Sequence, residues 1–141
     1  MKVLIISPEG RHTAVGKKFK FPFPTAGAPM VAALTPPDCD VRIIDEIVED
    51  INFDEKADIV AISSMTPMAS RAYEIAAEFR KRGVAVIMGG IHPSACPDEA
   101  AEHCDSVIIG EAEDLCRKSG SARFCTNPWK DALACCREGS D

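Results

Sequence analysis

Three clusters of small or hydroxylated residues, each following an apolar run, are the best candidates in this chain for holding a ligand. They are Ser63, Ser64, Met65 and Thr66 after residues 58–62, Gly89, Gly90 and His92 after residues 84–88, and Gly110 and Glu111 after residues 106–109. Hydroxyl groups donate and accept hydrogen bonds, and glycines let a ligand approach backbone N–H groups. This combination predicts binding of an extended polar ligand that carries phosphate and amide groups.

Signatures of catalysis do not accompany these clusters. The chain lacks a Gly-x-x-x-x-Gly-Lys-Ser/Thr phosphate loop, and no Gly-x-Gly-x-x-Gly fingerprint follows its first apolar run. Ser7 and Ser63 stand where a phosphorylation receiver needs acidic residues, and no serine lies in a nucleophile elbow. We therefore predict no catalytic residue, and a small enzyme acting on a nucleotide or sugar phosphate is the least favoured function.

His92 and Glu111 each have two interpretations. His92 could contact the ligand or bind a metal, or it could be a loop histidine that forms local hydrogen bonds beside the stiff Pro93. The local role is favoured over metal binding, whereas ligand contact stays open. Glu111 could accept a hydrogen bond from a ligand, or it could cap a helix that begins there.

The cysteines and the charge limit the partners. None of the seven cysteines forms a Cys-x-x-Cys pair, so free thiols in a reducing cytoplasm are expected and no metal site is predicted. The net charge of -6 disfavours nucleic acid, because phosphate binding requires a basic surface. No apolar run approaches 18 residues, so no membrane association is expected. The sequence is compatible with a monomer and with a homo-oligomer.

The secondary structure that positions the clusters alternates between strand and helix. Strands are predicted at residues 2–7, 40–45, 57–62, 84–88 and 106–109, and helices at residues 25–34, 68–82 and 97–103. This alternation predicts a three-layer α/β fold, flavodoxin-like or Rossmann-like, with five parallel strands in the order 2-1-3-4-5. Strand 40–45 has the pattern of a sheet edge. The three clusters then share the carboxyl edge of the sheet.

Two segments do not fit this alternation. Residues 8–24 form a long loop in which Phe19, Phe21 and Phe23 alternate with other residues. After Leu115 the helical periodicity is lost, and four of the seven cysteines lie from Cys116 onward. We therefore predict one domain at residues 1–116 and a tail of uncertain order at residues 117–141.

Several of these segments together resemble a known family. They are Met1–Pro8, Val41–Glu46, Asp58–Pro67, Arg71–Ala76, Met88–Pro93 (Met-Gly-Gly-Ile-His-Pro) and Ile109–Glu113 (Ile-Gly-Glu-Ala-Glu). In this order and spacing they resemble the N-terminal cobalamin-binding domain of cobalamin-dependent radical S-adenosylmethionine enzymes. The resemblance implies that cobalamin lies over the carboxyl edge, with the three clusters around its corrin ring and nucleotide tail.

The chain departs from that family in two respects. Ser7, Glu9 and His12 stand where an Asp-x-His-x-x-Gly motif would supply an axial histidine to cobalt, as happens in other cobalamin domains. The Cys-x-x-x-Cys-x-x-Cys triplet of the radical enzymes is also missing, so no iron–sulfur cluster is expected within these residues. A radical S-adenosylmethionine domain would have to be a separate or missing partner.

The function predicted from these observations is a cobalamin-binding module that is not an enzyme by itself. The alternative is a stand-alone flavodoxin-like interaction domain with a vestigial ligand site, in which the loop carrying Phe19, Phe21 and Phe23 would be the partner surface.

Overall fold

The computed structural model describes residues 1–10 and 26–110, and it contains one parallel sheet. The strands are β1 (Lys2–Ser7), β2 (Asp40–Asp45), β3 (Ile59–Ser63), β4 (Ala85–Gly89) and β5 (Ser106–Val107). Their order across the sheet is β2-β1-β3-β4-β5, and every neighbouring pair is parallel. This confirms the predicted fold class and strand order.

Within residues 1–10 and 26–110, four helices connect the strands. They are α1 (Gly27–Leu34), α2 (Ala69–Lys81), α3 (Ile91–Ala95) and α4 (Pro97–His103), and a 3-10 turn at Thr66–Met68 leads into α2. Helix α1 packs on one face of the sheet, whereas α2 and α4 pack on the other. The structure is therefore a three-layer arrangement, in which each apolar strand is covered from both sides.

Alternate residues of each central strand enter two separate cores. Leu4, Val60 and Met88 face the helix side that holds Ile75 and Phe79 of α2, and all five are fully buried. The residues between them face α1 and form the second core, which contains Val3, Ile5, Ile59, Ala61 and Ile87. Because both faces of β1, β3 and β4 are covered, these strands are apolar without alternation, as the sequence suggested.

The structure agrees with most predicted boundaries, although β5 ends at Val107 and not at residue 109. It also corrects one further region. Strand β2 lies at the sheet edge, as its alternating pattern predicted. The buried residue of this strand is Ile44, whereas Ile43, which the pattern placed on the apolar face, is 40% exposed. Gly83 ends α2 with a φ of 74°, a conformation that glycine adopts without strain. The interpretation of residues 91–95 as loop was wrong: they form α3, and only Cys96 separates α3 from α4, which begins at Pro97.

Some predictions lie outside the described residues. They concern Glu111, His12, the loop phenylalanines Phe19, Phe21 and Phe23, the four cysteines after residue 115, and the tail at residues 117–141. Within the described ranges, no helix is long and apolar enough to cross a membrane. The cytoplasmic location stays a prediction.

Candidate functional site

The ends of β3 and β4 lie side by side at the carboxyl edge of the sheet. Ser63 and Gly89 are register partners, and the Ser64 N–H donates to the Gly89 carbonyl at 2.9 Å. The His92 N–H in turn donates to the Ser64 carbonyl at 3.0 Å. Two of the three predicted clusters are therefore joined through the backbone of Ser64.

Gly90 is the tightest point of this edge. Its φ of 100° and ψ of -167° lie in a region that is essentially restricted to glycine. A Cβ at this position would lie 2.8 Å from the Ser64 carbonyl oxygen and 3.3 Å from Ser63 Oγ. The protein's own main chain at Ser64 therefore requires a glycine at this position.

Ser94 links the second cluster to the third, and the sequence analysis did not single it out. Its hydroxyl donates to the Gly90 carbonyl at 2.7 Å and accepts from the Gly110 N–H at 3.0 Å. The first bond joins residues four apart, which is a common bond for a serine on a helix. It could have been inferred from sequence only if α3 had been recognised.

We expect Ser94→Ala to loosen the third cluster without unfolding the domain. The substitution removes both hydroxyl bonds, and each intramolecular hydrogen bond contributes about 1 kcal/mol, less where water can replace it. Chemical denaturation should show a loss of about 1 kcal/mol in the free energy of unfolding, and the Gly110 amide should exchange hydrogen faster. Ser94→Thr keeps the hydroxyl and is the control. Equal losses in the two variants would contradict this role.

A cavity of about 190 Å³ opens beside this edge, on the α1 side of the sheet. Its inner surface is apolar and comes from both the sheet and the helix: Ile5, Ala61, Ile87, Met30 and Val31. Ser63, Gly89, Gly90 and Gly110 border it from the predicted clusters. Four predicted site residues, drawn from all three clusters, therefore surround one cavity.

Small residues at the start of α1 leave this cavity open. Ala26 and Gly27 line it, and a Cβ on Gly27 would lie 3.1 Å from Ser63 Oγ. The helix therefore approaches the end of β3 about as closely as side chains permit. Helix α1 was predicted from its sequence, but its part in the site was not, because nothing in its composition shows which sheet face it covers.

The remaining described members of the clusters do not line the cavity. Ser64 is 1% exposed, and its hydroxyl donates to the neighbouring Met65 carbonyl at 3.1 Å. Thr66 is exposed at the first position of the 3-10 turn. His92 is 4% exposed and lies on α3. Met65 is partly buried directly before that turn. The structure therefore separates the predicted residues that border the cavity from those that lie away from it.

The His92 ring belongs to a cluster of polar side chains from three helices. Its Nε2 atom lies 2.7 Å from the Tyr73 hydroxyl, which donates to Glu99 Oε1 at 3.0 Å. The Tyr73 ring also stacks on His103, with ring centroids 3.9 Å apart. Burial raises the pKa of Tyr73 above its usual value, and the hydrogen bond to Glu99 raises it further. Tyr73 therefore keeps its proton at neutral pH.

The sequence matches a known family of protein domains. The B12 binding domain family matches residues 12–118, which is most of the chain. The chain therefore belongs to the family of B12 binding domains.

Curated methyltransferases are similar to part of this chain. The bacteriochlorophyllide d C-8(2)-methyltransferase of Chlorobaculum tepidum is 49% identical over 87 residues, covering 61% of this chain and 19% of the relative. The C-12(1)-methyltransferase of the same organism is 41% identical over 88 residues, again covering 61% and 19%. An uncharacterized methyltransferase of Pyrococcus horikoshii is 31% identical over 126 residues, covering 80% and 27%.

These matches leave most of each relative uncovered. The chain spans between 19% and 27% of the length of these methyltransferases. No solved structure matches the chain.

Proposed function

We propose that this chain binds cobalamin at the carboxyl edge of its sheet, with the nucleotide tail in the cavity beside α1. The observation that carries the proposal is the position of that cavity. It opens between Ser63, Gly89, Gly90 and Gly110, the residues for which the sequence predicted a polar ligand. Family membership supports the same ligand.

The size and lining of the cavity fit the end of a cobalamin tail. That end is a flat bicyclic heteroaromatic ring, whose faces are apolar and whose linker carries a ribose and a phosphate. An apolar cavity of about 150 Å³ is large enough to bind benzene. A volume of about 190 Å³, lined by Ile5, Ala61 and Ile87, therefore suits insertion of a somewhat larger aromatic ring.

The cavity border offers groups that suit the polar parts of the ligand. The Ser63 hydroxyl borders the cavity mouth, and the glycines leave no side chain between a ligand and their backbone. The corrin ring carries amide side chains around its edge, and such groups pair with backbone and hydroxyl groups. Ser63, Gly89, Gly90 and Gly110 are therefore the residues that would hold the cofactor. Glu111 stays a predicted contact.

We further propose that the chain acts with a catalytic domain of methyltransferase type. When bound, cobalamin supplies the methyl-transfer chemistry of its cobalt. The relatives are named methyltransferases and are about four to five times as long as the matched region, which supports a module that serves a larger catalytic unit. A radical S-adenosylmethionine domain is the partner implied by the sequence resemblance.

Two corrinoids test the cobalamin proposal. The purified chain should be titrated with hydroxocobalamin and, in parallel, with cobinamide, which has the corrin ring but no nucleotide tail. We expect retention of hydroxocobalamin on filtration and a change in its visible spectrum, with affinity at least tenfold above that for cobinamide. The difference follows because only hydroxocobalamin can fill the apolar cavity.

Two outcomes would count against the proposal. Equal affinity for both corrinoids would mean that the cavity does not bind the nucleotide tail. No retained corrinoid at tens of micromolar, together with a dimer by light scattering, would favour the interaction domain instead.

A further inference from the structure

Three helices contribute one polar side chain each to a continuous hydrogen-bond chain behind the cavity wall. Glu99 comes from α4, Tyr73 from α2 and His92 from α3. The Tyr73 hydroxyl lies 3.0 Å from Glu99 Oε1 and 2.7 Å from His92 Nε2, whereas His92 Nε2 and Glu99 Oε1 are 3.7 Å apart. Tyr73 is therefore the middle member, and it has one proton to give.

The position of that proton fixes the direction of the chain. Tyr73 donates its hydroxyl proton to the Glu99 carboxylate, so its oxygen is left to accept from His92. A hydrogen bond of 2.7 Å to Nε2 then requires a proton on Nε2. His92 Nδ1 is buried and has no hydrogen-bond partner among residues 1–10 and 26–110. A proton on Nδ1 would be a buried donor without an acceptor, which is costly.

The backbone of the same histidine holds the glycine turn. Its N–H donates to the Ser64 carbonyl, and the Ser64 N–H donates to the Gly89 carbonyl. Helix α3 has only five residues, too few to be stable without tertiary contacts. The imidazole therefore ties this short helix to α2, while the main chain of the same residue ties it to the ends of β3 and β4.

We infer that Glu99, Tyr73 and His92 form a positioning device for the Gly89–Gly90 turn, and that His92 acts through its Nε2–H rather than as a ligand contact. The effect on affinity rests on the proposed binding of cobalamin. The direction of the hydrogen-bond chain does not depend on any ligand.

Two substitutions at His92 test whether an N–H donor at the Nε2 position is sufficient or whether the imidazole ring itself is required. The amide nitrogen of glutamine lies about where histidine has Nε2, so His92→Gln can still donate to Tyr73. The shorter asparagine places its amide near the Nδ1 position and cannot reach. We expect His92→Gln to stay within threefold of the wild-type hydroxocobalamin affinity and His92→Asn to lose at least tenfold. If both folded variants lose affinity equally, the Nδ1 atom or the ring itself is required and the inference is wrong.

A measurement without ligand tests the inference if the wild type binds no corrinoid. Nitrogen-15 NMR of the histidine rings should show His92 protonated on Nε2. Tyr73→Phe keeps the ring that stacks on His103 but removes the hydroxyl, and it should speed hydrogen exchange at the His92 amide at least tenfold. A proton on Nδ1 alone, or unchanged exchange, would overturn the inference. Absence of corrinoid binding by the wild type would defeat only the proposed function.

Discussion

Gly90→Ala should destabilise the domain by about 3 kcal/mol and weaken hydroxocobalamin binding at least tenfold. Two costs add. The backbone region that Gly90 occupies costs other residues about 1–3 kcal/mol, and the new methyl group would lie 2.8 Å from the Ser64 carbonyl oxygen. Relief of that overlap requires a backbone shift, which typically costs a further 1–3 kcal/mol. Because Gly90 borders the cavity, the shift also changes its mouth.

Gly83→Ala is the matched control for this substitution. Gly83 also has a positive φ, 74°, but no atom lies within 4 Å of a Cβ placed there. It should therefore lose only about 1–2 kcal/mol and keep its corrinoid affinity. Denaturant titration and corrinoid titration of both variants make the comparison. A loss in Gly90→Ala no larger than that in Gly83→Ala would show that the close approach to Ser64 is relieved at no cost.

The sheet and its carboxyl edge could be predicted because they follow from local patterns. Apolar runs such as 84–88 must be covered on both faces, and alternation with helices makes such strands parallel. Parallel strands in the order 2-1-3-4-5 then bring the residues after β3, β4 and β5 to one edge. This reasoning placed Ser63, Gly89, Gly90 and Gly110 at a common edge, and the structure shows all four around one cavity.

The assignment of roles within each cluster could not be predicted, because it depends on which face each residue meets. Ser63 and Ser64 are adjacent and chemically identical, yet one borders the cavity and the other is buried beneath the glycine turn. His92 looked like a loop residue because Pro93 follows it, but proline is well tolerated in the first turn of a helix such as α3. Its partners Tyr73 and Glu99 lie 19 residues before it and 7 after it, and no sequence period connects them.

The contribution of α1 was also beyond the sequence. Gly27, Met30 and Val31 line the cavity only because α1 covers the face that holds Ile5, Ala61 and Ile87. Helix α2 covers the opposite face and packs against Leu4 and Val60. The position of α1 beside the cavity is therefore set by the tertiary arrangement, which decides the sheet face that each helix covers.

Ala61→Leu should weaken hydroxocobalamin binding at least 100-fold while leaving the fold intact. Ala61 lies on the central strand β3 and lines the cavity, so a larger side chain has space to occupy without displacing its neighbours. We expect a change of less than about 1 kcal/mol in the free energy of unfolding, since filling an apolar cavity buries carbon without overpacking. The same atoms would take the space proposed for the nucleotide tail. Hydroxocobalamin affinity should fall at least 100-fold, which corresponds to about 2.8 kcal/mol.

Val60→Ile, one residue earlier on the same strand, completes the test. Val60 is fully buried in the core on the opposite face of the sheet, so the additional methylene of isoleucine enters tightly packed space. It should cost about 1 kcal/mol in stability and leave hydroxocobalamin affinity within threefold. The two variants should therefore have opposite effects. Ala61→Leu should lower the affinity for the ligand without destabilising the domain, and Val60→Ile should destabilise the domain without lowering the affinity. Cobinamide, which lacks the tail, should lose much less affinity than hydroxocobalamin in Ala61→Leu. An equal loss for both corrinoids would mean that the cavity does not hold the tail.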